Sequence, residues 1–413
     1  STIGVLASEC GFEPFDRDDG LHPLGRRSKS APFNEYLKSK GYDGENPWET
    51  WANSGEAPDG SQENGWLLVH ADKQTRAPDE DTETPWTTRE AMRFIDEAEG
   101  KGESWCLHLS YIKPHWPYIA PAPYHDMFGA ADVMPAVRSE SERGNDVHPV
   151  YRAFMDLRVS RNFSRDEVRE RVIPTYMGLI RQIDDQLGIL FGFLKERGLE
   201  ENTLIVFTSD HGDYLGDHWL GEKDLFHEVS VKAPMIVVDP SAAVNSTRGT
   251  VCDALVEAID LTPTFIEYFG GVAPRHIVEG RSLAPFLRGE KPAGWRSHVF
   301  SEYDYSMQDV RRALGLPVDK CHLFMVFDGR WKYVHAPGFR PMLYDLETDP
   351  QEFHDRGADP ACASVCARMR EALLDWALTD HSRITTPDAR IEGYSSALQL
   401  KSGIYIGYWD EAE

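Results

Sequence analysis

Positive charge is scarce in this chain. It sets 43 Lys and Arg against 68 Asp and Glu, for a net charge of −25 at neutral pH. Such a surface repels nucleic acid and anionic membrane, so neither is an expected partner. Any anion that binds must find a local positive patch, which a metal and one or two lysines would supply. Long apolar runs are missing too: nothing approaches the roughly 18 consecutive apolar residues needed to span a bilayer. Six cysteines scattered over 413 residues exclude a disulfide framework, and reduced thiols favour a cytoplasmic location. Cys106 and Cys252 sit in or beside apolar runs, where a thiol packs as a small hydrophobe. Cys362 and Cys366 lie four apart on an expected helix with no second ligand pair, which favours packing over zinc. Internal repeats and low-complexity segments are absent, and no secretory leader is expected from the opening residues. The chain opens Ser1-Thr2-Ile3-Gly4 without an initiator Met, so a processed or truncated product is expected.

What is present describes a globular protein, with 41% apolar and 11% aromatic residues. Residues 1 to about 86 are rich in Gly, Pro and acidic residues and read as long surface loops, with one short helix near Phe33–Lys40. Thr87-Thr88-Arg89-Glu90 has the form of a capping box ahead of an apolar helix face that Gly100 stops. A strand is expected over Trp105–Tyr111, followed by a fixed loop, Lys113-Pro114-His115-Trp116-Pro117-Tyr118. A second capping box, Ser164–Glu167, opens the longest helical pattern, with Tyr176, Ile180, Ile183, Leu187, Leu190, Phe191 and Leu194 as its apolar face and Gly198 at its end. Strand patterns over 203–208 and 235–238 and a helix over 261–269 complete a βαβ-like rhythm, which implies a mostly parallel sheet covered by helices. Beyond residue 296 short strands at 299–305, 322–327, 331–335 and 342–346 imply a small antiparallel sheet, with a helix over 362–376 lying on it. The fold class is therefore α/β, with an α/β domain over 1–295 and an α+β subdomain with an extended tail over 296–413. The aromatic segment Gly403–Trp409 is apolar enough to dock, and the long tail hints at a homo-oligomer, a dimer or tetramer.

The most informative segment is Thr208-Ser209-Asp210-His211-Gly212-Asp213-Tyr214-Leu215-Gly216-Asp217-His218, with Lys223 thirteen positions past Asp210. It follows the β-branched run Thr203–Phe207, so a carboxylate and an imidazole arrive together at a strand's carboxyl end, where open α/β sheets bind ligands. Asp oxygen with His nitrogen makes half of a divalent-metal shell. Gly212 and Gly216 let the backbone turn tightly behind the ligands.

Together with the Lys113-Pro114-His115 loop, Ala120-Pro121-Ala122-Pro123-Tyr124-His125, Trp331-Lys332-Tyr333 and Leu343–Pro350, this segment resembles the sulfatase branch of the alkaline phosphatase superfamily. Within that branch it is most similar to the phosphonate monoester hydrolases. The resemblance runs from about residue 86 to 380. It implies an alkaline-phosphatase-like large sheet flanked by helices, and Asp210 and His211 as ligands of one divalent cation, manganese or calcium. It implies that Lys223 contacts a non-bridging oxygen of the bound anion and that His115 assists the leaving oxygen. The substrate would be a small phosphonate, phosphate or sulfate ester. Breaking such a bond loads charge onto equatorial and leaving oxygens, which cations and donors offset.

One departure matters. The family uses a nucleophile in a Cys/Ser-x-Pro-x-Arg motif, the Cys oxidised to formylglycine, and none of the six cysteines here is followed by that motif. The expectation is a carboxyl-proximal portion holding half a site, with the formylglycine in an absent amino-terminal part, metal binding weak or missing, and no turnover. Alternatives are a dedicated sulfatase, a two-zinc phosphodiesterase or phosphomutase of the same superfamily, and a non-catalytic assembly domain. His218 and His227 read as structural and Trp331–Tyr333 as sheet core. His381 and Arg383 read as solvated, with entry into a neighbouring subunit's cleft as the alternative.

Overall fold

The computed structural model describes residues 32–273, 278–379, 393, 400, 401 and 403–410. Cys10, His381 and Arg383 lie outside the described residues.

The first described element, α1 (Pro32–Ser39), is the short helix expected there. The segment after it is not a set of surface loops. Phe33, Leu37, Trp48, Trp66, Leu68 and Trp86 are buried in one core cluster with Trp116, Tyr118, Phe163, Val168 and Val172. The backbone there is irregular apart from single helical turns at Trp48–Ala52, Leu68–His70 and Asp79–Asp81 and the small hairpin β1 (Ser54–Glu56) and β2 (Gln62–Asn64). Burial is carried by tryptophans, each covering a large area, rather than by periodic aliphatics.

Helix α2 (Glu83–Lys101) begins four residues before its expected capping box. Pro85 is tolerated because it falls in the first turn, where an N–H has no helical partner in any case. The Thr87 and Thr88 hydroxyls donate back to the carbonyls of Glu83 and Thr84 instead of capping. The helix ends at Gly102, in the left-handed region, not at Gly100. Residues 105–111, expected as a strand, run outside any ladder with every second residue exposed, so Cys106 faces outward. Cys252 is exposed as well.

Two short helices, α3 (Pro149–Met155) and α4 (Arg158–Phe163), lead into α5 (Asp166–Glu196), which stops with Gly198 in the left-handed region as expected. Ser164 belongs to α4's end, its hydroxyl donating to the Ser160 carbonyl, so it does not cap α5. The buried side of α5 includes Val168, Val172, Gly178, Gln182, Leu190 and Leu194, whereas Ile180, Ile189 and Phe191 are exposed.

Strands β3 (Ile205–Thr208) and β4 (Met235–Val238) pair antiparallel, Ile205 opposite Val238 and Thr208 opposite Met235. The βαβ rhythm had suggested parallel neighbours. A parallel return needs a full crossover, and the 209–234 segment instead folds over the end of β3 with one 3-10 turn, Asp217–Trp219, and a one-turn helix, Glu228–Val231. Among the described residues the one isolated bridge, Gln74 to Ala120, is parallel.

The carboxyl-proximal sheet follows expectation closely. Strands β5 (Val299–Asp304), β6 (His322–Phe327), β7 (Trp331–His335) and β8 (Met342–Asp345) form an antiparallel meander in that order. The long helix Ala363–Thr379 covers one face, where Cys362, Met369 and Leu373 pack on Val326, Tyr333 and Leu343. The other face shares a core with Val150, Tyr151, Phe154, Tyr214, Leu225 and Phe226, locking the loop after β3 onto this sheet. Ile404 is buried, and Leu68 and Val69 donate to the Tyr408 and Trp409 carbonyls, so the aromatic tail segment docks on its own chain.

Candidate active site

The site is built where the chain leaves β3. Gly212 donates its N–H to the Ser230 carbonyl at 2.7 Å, and a Cβ there would lie 1.9 Å from the Val229 oxygen, so only glycine fits. This clamp fixes the two residues before it. His211 Nδ1 bonds the Gly212 carbonyl at 2.7 Å, which makes Nδ1 the protonated nitrogen and leaves the Nε2 lone pair available. Asp210 Oδ1 accepts from the His211 backbone N–H, leaving Oδ2 3.4 Å from His211 Nε2. That spacing is roughly what two ligands show on one ion at bond lengths of about 2.1 Å. The Asp210 side chain is 85% exposed, open to an incoming cation. The donor set fits a divalent metal in part: among the described residues no third His, Cys, Asp or Glu ligand atom joins this pair.

Lys223 and His115 are brought into contact from distant stretches of chain, Nζ to Nε2 at 3.1 Å. Burial above all, then the Lys223 charge, holds the His115 pKa below its ordinary value. His115 is thus neutral, accepting from the ammonium at Nε2 and facing the Trp116 carbonyl with Nδ1 at 3.2 Å. His211 lies near enough to add its own downward push on His115. Lys113 of the same loop does not enter the site. It is buried, donates to Asn53 Oδ1 and the Pro117 carbonyl, and burial draws its ammonium down to about 8.

Several residues around Lys223 escaped sequence reasoning. Asp213 accepts from the Tyr118 hydroxyl at 2.6 Å and Asp224 from the Tyr303 hydroxyl at 2.7 Å. Burial first, then the nearby Glu222 charge, pushes both carboxyls up to about 7. Glu222 Oε2 lies 3.6 Å from Lys223 Nζ. The signal was in plain view: Glu222 and Asp224 flank Lys223 in sequence, and Tyr118 closes the proline-rich loop. The loop is also strained. Of five non-glycine residues with positive φ among the described residues, Leu215, His218, Trp219 and Glu222 fall between the Asp–His pair and Lys223. Each left-handed residue costs about 1–2 kcal/mol, a cost borne only where surrounding structure enforces it.

A second cluster lies behind this loop. Glu142, His218 and His227 hold possible ligand atoms within 4.8 Å of one another. The two imidazoles stack face to face, 3.8 Å between centroids at 9°, so their in-plane lone pairs run side by side instead of converging. His218 Nδ1 bonds Glu142 at 2.6 Å, and His227 is held by the Tyr214 hydroxyl with its pKa driven well down by burial. The arrangement suits a buried structural clamp. Lys332 is likewise core, buried between Glu228 and Glu352.

An α/β fold that delivers an Asp–His pair and a Lys–His pair around one strand end is of the alkaline-phosphatase-like class. Residues 19–272, more than half of the chain, match the sulfatase family, and residues 216–378 match the carboxyl-terminal region of N-sulphoglucosamine sulphohydrolase. The chain belongs to the sulfatase family. It is 36% identical over 332 residues to the multifunctional alkaline phosphatase superfamily protein PehA of Trinickia caryophylli, spanning 76% of this chain and 63% of that protein. It is 28% identical over 276 residues to an arylsulfatase of Clostridium perfringens, spanning 65% of this chain and 52% of that one. Its fold is similar to that of a phosphonate monoester hydrolase from Silicibacter pomeroyi, with TM-score 0.74 and 30% identity over 85% of this chain and 69% of that structure. The chain spans between half and two-thirds of the length of these two relatives and of a choline-sulfatase of Rhizobium meliloti, to which it is 27% identical.

Proposed function

We propose that this chain is part of a metal-dependent hydrolase of phosphonate monoesters, with phosphate diesters and sulfate esters as further substrates. The observation that carries the reading is the Lys223–His115 contact, built at the same strand end as Asp210 and His211. The likeness to PehA and to the Silicibacter pomeroyi phosphonate monoester hydrolase supports it.

A manganese or calcium ion held by Asp210 and His211 would supply Lewis-acid stabilisation of a substrate oxygen. The chain's own residues do the rest. The Lys223 ammonium turns from His115 to a non-bridging oxygen of the anion. His115 Nε2, freed from that contact, takes up a solvent proton beside the bound anion and passes it to the leaving oxygen. The Gly212 clamp holds the Asp–His pair while this exchange occurs. The nucleophile, expected as a formylglycine, is not among these 413 residues, so the chain alone should bind but not turn over.

A dedicated sulfatase is the second reading, favoured by the match of residues 216–378 to a sulphohydrolase region. The two-zinc alternative lacks support, because the Asp210–His211 pair gathers no further ligands among the described residues. The deciding experiment is turnover of matched aryl phosphonate, phosphodiester and sulfate esters by the gene's whole product loaded with manganese. Higher kcat/KM on the phosphonate supports the first reading; a strong sulfate preference replaces it with the second; no turnover of any ester favours an assembly domain.

A further inference from the structure

We propose that Glu222 is a specificity-determining residue, its carboxylate tuning the anion site to accept singly charged esters and to turn away doubly charged ones. This rests on the anion-site reading above and goes beyond it by assigning a charge filter to one side chain.

Three carboxylates surround Lys223, and they are not equivalent. Asp213 and Asp224 each accept a tyrosine hydroxyl, from Tyr118 and Tyr303. Glu222 makes no such bond: Oε2 stands 3.6 Å from Lys223 Nζ, and Oε1 is buried with no hydrogen-bond partner among the described residues. Its negative charge therefore faces the same ammonium that an incoming oxyanion would contact. Phosphonate monoesters, phosphodiesters and sulfate monoesters all carry one negative charge; phosphate monoesters carry two near neutral pH. In a partly buried site each extra unit of like charge meets the Glu222 carboxylate through a low dielectric.

A structural role does not explain the residue. Its backbone carbonyl accepts from the Tyr214 N–H at 2.9 Å, which any amino acid would do. Its φ of 64° lies in the left-handed region, where glycine would be relaxed. The chain thus keeps a partly buried carboxylate where the fold alone would favour glycine, and strain of this kind gathers at working sites.

The test uses a ligand pair differing by one charge: phenylphosphonate, at alkaline pH where it carries two charges, and its monomethyl ester, which carries one. Both are titrated calorimetrically into the manganese-loaded 413-residue chain and into its Glu222→Gln and Glu222→Gly variants. Wild type should prefer the monoester, and both variants should shift the affinity ratio at least about tenfold toward the dianion. Glu222→Gly should also melt at or above the wild-type temperature. An unchanged ratio in variants that still bind both ligands overturns the charge filter alone. Failure of both ligands to bind wild type overturns the anion-site reading, and the proposal with it.

Discussion

Replacing Lys332 by Met isolates one buried charge whose loss should be large and pH-dependent. The Lys332 side chain on β7 is 1% exposed, with Nζ 2.7 Å from Glu352 Oε1 and 2.8 Å from Glu228 Oε1. Glu352 also accepts from the Glu228 backbone N–H at 2.7 Å, so the ammonium ties the sheet to the short helix that closes the site loop. Methionine fills the stem's volume but leaves the Glu352 carboxylate buried and unpaired, a defect that costs about 3–5 kcal/mol. Glu228 is partly exposed and adds little once solvent screens it. The sign with pH follows from Glu352, whose pKa burial already raises and Lys332 holds down. Without Lys332 it rises further. A carboxyl whose folded pKa exceeds its unfolded value gives stability that is full below the unfolded pKa and lost as pH rises through the folded one. Urea unfolding followed by circular dichroism should therefore show a deficit at about pH 8 that shrinks toward pH 5. The added change Glu352→Gln should recover much of it. A Lys332→Met variant within about 1 kcal/mol of wild type at pH 8, or with the same deficit at both pH values, would refute the reasoning.

Two further outcomes are expected. Gly212→Ala, whose Cβ would meet the Val229 oxygen at 1.9 Å, should cost about 1–3 kcal/mol and weaken manganese binding, read by melting temperature and by titration of the metal. Asp224→Asn should flatten the pH dependence of melting. The wild-type carboxyl, pushed up to about 7 by burial and Glu222, contributes stability below the ordinary carboxylate range that is lost as pH rises through about 7.

Much of the carboxyl-proximal half was legible because its signals are local. The four strands from Val299 to Asp345 turn and pair in chain order as their sequence indicates. The helix Ala363–Thr379 presents Met369 and Leu373 inward as periodicity requires. The amino-proximal half was misread because its burial does not repeat. Trp48 heads a single π-helical turn and Trp66 lies in a turn, too short for a period of two or 3.6 to announce these core residues. The α5 stripe of Ile180, Ile189 and Phe191 and the outward face of Phe207, Ile236 and Val238 are apolar yet exposed. Pattern reports that such faces want cover, not whether cover is present. In the site, the Asp–His–Gly run and Lys223 were readable from residue type and spacing. The long-range contacts were not: Tyr118 to Asp213 and Tyr303 to Asp224 join residues far apart in sequence, and no local rule links them.

The most direct test is a crystal of this chain soaked with manganese and tungstate, read in anomalous difference maps. Expected is manganese about 2.2 Å from Asp210 Oδ2 and His211 Nε2, with a tungstate oxygen on Lys223 Nζ in place of His115. Manganese seated between Glu142, His218 and His227, or tungstate bound away from Lys223, would contradict it.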